Sequence, residues 1–172
     1  INKKADGPTK TILGEKQKAW LKKTIAESDA SFKFIVTPGP IIGPDKKGKN
    51  DNHANEGFFH EGEELRKFIA SQKNLYIICG DRHWQYASTH PKYKIREFGC
   101  GPINGQHMFG GHPKMDPKWH EFLNARGGFL SVKVERKDNT PQAILSWYDA
   151  ELKDDQSAKQ KVNNQINLQY IQ

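Results

Sequence analysis

Between Leu13 and Ser28 the apolar residues Leu13, Trp20, Leu21 and Ile25, with Thr24 beside them, recur at helical spacing. Lys16, Lys18, Lys22 and Lys23 fall on the other sides, so the pattern predicts a surface helix. Residues 32–37 join aromatic and β-branched side chains and stop at Pro38, Gly39 and Pro40, which predicts a buried strand ending in a turn. Residues 38–57 are rich in Gly, Pro, Lys, Asp and Asn, a loop too long for a compact domain unless it is disordered or functional. Helical spacing returns over 61–70 through Leu65, Phe68 and Ile69, with acids early and bases late as the helix dipole prefers. Residues 75–79 are an almost unbroken apolar run, the mark of a strand buried on both faces, and end at Gly80 and Asp81.

Helix, strand, helix, strand predicts an α/β fold with parallel strands and helical crossovers. Ligands in such sheets sit outside the carboxyl ends of the strands, here marked by Pro38 and Gly80. The remainder turns to β: strands are expected over 86–89, 95–99, 129–135 and 143–147, the last two forming a hairpin around 138–141. From Leu152 the Gln, Asn and Lys content rises, and Ile166, Leu168, Tyr170 and Ile171 suit an alternating terminal strand. The expected organisation is therefore 1–150 as the main unit and 151–172 as a polar arm or edge strand. Trp20, Trp119 and Trp147 are expected in the core.

Composition narrows the function classes. The chain has 172 residues, 35% hydrophobic and 27% charged, which fits one globular domain. No apolar run approaches the roughly 18–20 residues of a bilayer span, so no membrane partner is expected. The net charge of +7 comes mostly from scattered lysines, without the aromatic interleaving of a base-stacking surface, which disfavours nucleic acid. Cys79 and Cys100 form no CxxC pair, leaving no basis for a disulfide scaffold or Cys-rich zinc site.

Three loops carry candidate chemistry. Gly80, Asp81, Arg82, His83 and Trp84 leave a buried strand with a carboxylate and an imidazole two residues apart, able to converge on one cation, and with a guanidinium suited to phosphate oxygens. The competing reading pairs Asp81 with Arg82 and packs His83 on Trp84. The run from Asn50 to Glu56 puts Asp51, Asn52 and His53 in the long loop, where they are either ligands and substrate contacts or an incidental polar stretch. The third loop runs from Gly99 to His107, with glycines that permit close backbone approach. His60, His90, His112 and His120 lack a second ligand at metal spacing and are assigned surface or packing roles. Neither a P-loop nor a GxSxG nucleophile elbow occurs.

Taken together, Leu13 to Gln17 with Trp20 and Leu21, Phe34 to Pro38, Asp51 to Asn55, and Cys79 to Tyr86 resemble the PhoD-like alkaline phosphatases, over about residues 10 to 110. This family lies within the calcineurin-like metallophosphoesterases. The resemblance implies an αββα sandwich with a dinuclear centre of divalent or trivalent ions (Zn, Fe, Mn or Ca), whose activated hydroxide attacks a phosphate mono- or diester. It implies metal ligands at Asp81, His83 and Asp51, catalytic roles for Arg82, His53 and Asn52, and export to the periplasm or exterior. The amino-terminal metal motifs of that superfamily (DxH, GDxxD, and GNH followed by Asp or Glu) do not occur ahead of residue 50. The expectation is thus a carboxyl-terminal half, inactive alone, whose partner is the missing amino-terminal half. The alternative is a non-catalytic anion- or protein-binding module on the same scaffold.

Overall fold

The computed structural model describes residues 3–45, 48–103, 114–151 and 159–171. Helix α1 spans Gly14–Glu27 and strand β1 Lys33–Thr37; helix α2, Phe59–Ala70, follows a short 3₁₀ turn at Glu56–Phe58. Strands β2 (Leu75–Cys79), β3 (Gln85–Thr89), β4 (Arg96–Cys100) and β5 (His120–Asn124) complete a five-stranded sheet in the order β1-β2-β4-β3-β5. Strands β6 (Gly128–Lys137), β7 (Thr140–Glu151) and β8 (Lys159–Gln169) form a second, antiparallel sheet.

β1 and β2 run parallel, as do β2 and β4, while β3 enters antiparallel between β4 and β5. Alternation along the strands divides the interior. Leu75, Ile77 and Cys79 of β2 point to the helices, where they join Ile25, Leu65 and Ile69. Phe98 and Ala87 point the other way, against Ala143, Leu145, Trp147 and Leu168 of the second sheet. The helices and long loop therefore cover one face of the five-stranded sheet, and the three-stranded sheet covers the other. The β6–β7 hairpin turns at Asp138 and Asn139, whose positive φ values of 50° and 62° match the right-handed strand twist.

Three expectations need correction. Trp20 is 61% exposed, since the face of α1 that carries it looks over an open cleft of about 340 Å³ beside β1 rather than into the core. Trp119 is half-buried against His90, while Trp147 is fully buried as expected. Lys18 does not face solvent: it is buried and paired with Glu15 at 3.1 Å and Glu64 at 2.8 Å. Strand β5 was not foreseen, and its His120 is a packing residue bonded to Ser88 Oγ at 2.7 Å. His107, His112 and the end of the third loop lie outside the described residues. No helix among the described residues is long and apolar enough to cross a membrane.

Candidate phosphate site at the strand ends

The adjacent carboxyl ends of β1 and β2 set the site. Thr37 and Cys79 are register partners, and Gly80 N donates to Thr37 O at 3.1 Å, so the long loop and the Gly80–Trp84 turn depart side by side. At Asp81 the chain takes a positive φ of 61°, which turns successive side chains to opposite sides. Asp81 and His83 face outward; Arg82 goes in.

The long loop folds back over this turn. Asn52 Nδ2 donates to Asp45 Oδ2 at 2.7 Å and Asp51 Oδ1 at 3.2 Å, while its own Oδ1 accepts from Ala54 N at 3.0 Å. Asn55 caps the 3₁₀ turn through Gly57 N at 3.1 Å. Lys49 Nζ reaches Asp81 Oδ2 at 2.7 Å. Burial pulls the Lys49 ammonium toward neutrality, but the Asp81 hydrogen bond and the charges of Asp45, Asp81 and Asp51 outweigh it and hold its pKa above the usual range. Asp81 is thus paired with Lys49 of the long loop, not with Arg82.

Arg82 is the anomaly of the site. Arg82 is 4% exposed, and its guanidinium lies 4.9 Å from the Tyr86 ring centroid, with Nε 3.9 Å from Asp45 Oδ1, outside hydrogen-bond range. Nε, Nη1 and Nη2 all lack a hydrogen-bond partner among the described residues, as does the buried indole Nε1 of Trp84. Burial works against its charge, yet Tyr86, Glu97, Cys79 and Asp45 outweigh that, and the pKa is raised above its ordinary value. A charged fork with unsatisfied donors is costly to fold, and its chemistry suits an acceptor-only guest such as a phosphate oxyanion.

The expected site residues separate into two groups. Arg82, Asp81, Asp51 and Asn52 join through Asp45 and Lys49 into one cluster, with His83 on the same turn. His53 points elsewhere, with Nε2 2.9 Å from Glu61 Oε2 in the interior. Burial lowers its pKa despite the pull of Glu61, so the imidazole is neutral at pH 7. Among the described residues no three His, Cys, Asp or Glu side chains gather as a metal-binding group. Asp81 and His83 offer a carboxylate and an imidazole, a share of a dinuclear site but not a whole one. No metal-borne step is therefore derived from this chain.

Sequence reasoning missed Asp45, Lys49, Glu97 and Arg66. Glu97 left a signal: it shares the apolar phase of its strand with Ile95 and Gly99, and a charge in that phase is buried for a reason.

A family model described as PhoD-like phosphatase matches residues 1–140. The chain belongs to this family. Its fold is similar to a solved chain titled "Structure of PhoD", with a TM-score of 0.68 and 20% sequence identity. That alignment covers 95% of this chain and 34% of the other, so the chain spans about a third of the PhoD structure it matches. No curated protein matches. The two-sheet α/β architecture is thus shared with PhoD.

Proposed function

We propose that this chain forms part of a metal-dependent phosphoric ester hydrolase in which Arg82 binds the phosphate. The observation that carries the proposal is the Arg82 guanidinium, charged, buried and without a hydrogen-bond partner among the described residues, at the carboxyl end of β2. In this reading the phosphate oxygens supply the missing acceptors, Asn52 orients the ester through the Asp45–Asn52 link, and Asp81, His83 and Asp51 contribute ligands to a metal centre. The remaining ligands come from another part of a longer polypeptide, the partner expected from sequence. The open edge of β1, where Val36 is 77% exposed beside the Trp20 cleft, supports that placement. Helices on one sheet and a second sheet behind it account for three layers of an αββα sandwich, the finer fold assigned here. His53 acts in this reading from inside, through Glu61, on the loop that carries Asn52.

The test is p-nitrophenyl phosphate hydrolysis by the full-length protein with Zn, Mn, Fe or Ca added. Activity should require metal and fall roughly a hundredfold or more in Asp81→Ala, His83→Ala and Arg82→Met. Undiminished turnover in Asp81→Ala and His83→Ala would overturn the assignment. Phosphate binding without hydrolysis would instead support a non-catalytic anion-binding module.

A further inference from the structure

Ile41 lies at the start of the long loop, and its peptide groups are gripped from two directions. From the sheet, the fully buried Glu97 accepts Ile41 N at 2.6 Å and Ile42 N at 3.1 Å on Oε2. Its Oε1 accepts the Tyr86 hydroxyl at 2.8 Å, and that hydroxyl stands 2.6 Å from Cys79 Sγ. From helix α2, the buried Arg66 donates through Nη1 to Ile41 O at 2.6 Å and His53 O at 2.8 Å. The helix is shaped for this seat: a Cβ at Gly62 would stand 2.2 Å from the His53 carbonyl oxygen. Two opposite charges, one on a strand and one on a helix, thus hold a segment whose described residues form no helix or strand of their own. Charged hydrogen bonds to backbone are the strong kind, and here they meet both ends of the segment from Ile41 to His53.

That segment carries Asp45, Lys49, Asp51 and Asn52. The ring of Tyr86, fixed by Glu97, is the surface on which the Arg82 guanidinium rests. We propose that Glu97 and Arg66 are positioning residues for the phosphate site: together they set where the long loop stands against the Gly80–Trp84 turn, without touching substrate. This rests on the phosphatase reading above. Apolar side chains at both positions would leave the amides of Ile41 and Ile42 and the carbonyls of Ile41 and His53 without these partners, so the pair fixes the loop rather than merely filling the core.

The test uses Glu97→Gln and Arg66→Lys in the full-length protein. Gln keeps the shape and can still offer an oxygen to the amides and an N–H to Tyr86, but loses the charge. Lys keeps the charge and loses the fork. Both should give a single melting transition near that of wild type, with hydrogen exchange at the Ile41 and Ile42 amides about fivefold faster in Glu97→Gln. In both, kcat/KM for p-nitrophenyl phosphate should fall about tenfold or more, with KM taking the larger share. Faster exchange with unchanged kcat/KM, or no change in either, overturns the proposal. So does unfolding of both variants, which would assign the pair to the core alone. A wild-type protein that hydrolyses no phosphate ester overturns the functional reading and this inference with it; an active wild type with unaffected variants overturns this inference only.

Discussion

Trp147 of β7 donates its indole N–H to the carbonyl of Gly99 in β4 at 2.8 Å, a polar link between the two sheets beside the apolar cluster of Phe98, Ala87, Ala143 and Leu145. The indole is fully buried and meets the Phe122 and Phe98 rings at centroid distances of 5.1 and 6.0 Å. Trp147→Phe keeps most of the packing and strands the Gly99 oxygen, for an expected loss of roughly 1–3 kcal/mol. Trp147→Ala adds a cavity and should cost roughly 3–5 kcal/mol. Urea denaturation measures both. Equal losses would mean that the hydrogen bond outweighs the ring.

The same Gly99 is pressed from the helix side. A Cβ there would lie 2.1 Å from Tyr86 Cε1 and 2.3 Å from Cδ1. The ring has little room to retreat, because Glu97 and Cys79 hold its hydroxyl. Gly99→Ala should therefore destabilise by roughly 2–3 kcal/mol and displace the ring beneath Arg82. Thermal melting measures the first effect, and loss of p-nitrophenyl phosphate turnover the second. A variant as stable as wild type would show that the ring moves freely.

A pH effect follows from His53. Its folded pKa lies below the unfolded value near 6.5, chiefly through burial, so below that value the unfolded chain binds the additional proton. Stability should hold above about pH 7 and decline as the pH falls from there toward the folded pKa, by no more than about 1.4 kcal/mol per pH unit for this one proton. Burial lowers His90 and His120 as well, so they add to the slope. His53→Gln retains an N–H for Glu61 and removes the titration. Denaturant midpoints between pH 5 and 7.5 should fall less steeply in the variant; parallel curves would exclude His53 as a source.

Local periodicity read α1, β1, α2 and β2 closely, because each segment has one apolar phase and clear stop residues, and it also found the hairpin. It could not say which faces are covered. Trp20 stands roughly 140° around the helix from Ile25 and looks into an open cleft, while Lys18 falls in phase with Ile25 and is buried, its charge met by Glu64, 46 residues away. Strand β5 reads His, Glu, Phe, Leu, Asn, a run without alternation, and exists because β3 pairs with it. At the candidate site, the Gly80–Trp84 turn was legible from its residue types. Arg82 turns inward directly after the positive φ at Asp81, and the loop is held by Glu97 and Arg66 through backbone groups 13 to 56 residues distant.

Arg82 yields the prediction that best separates function from stability. A buried guanidinium with no hydrogen-bond partner among the described residues leaves its donors unsatisfied, and Arg82→Met, similar in length and apolar, removes those donors, so the melting temperature should stay near that of wild type. Its charge does balance Glu97 and Asp45, but the Glu97 oxygens already accept two amides and a hydroxyl, which limits what its removal costs. The same variant should lose the affinity of the full-length protein for inorganic phosphate, seen as weaker product inhibition wherever residual turnover permits the measurement and as a lower heat of binding by calorimetry otherwise. A large drop in melting temperature with phosphate affinity intact would make Arg82 a structural ion and remove the observation on which the phosphate site stands.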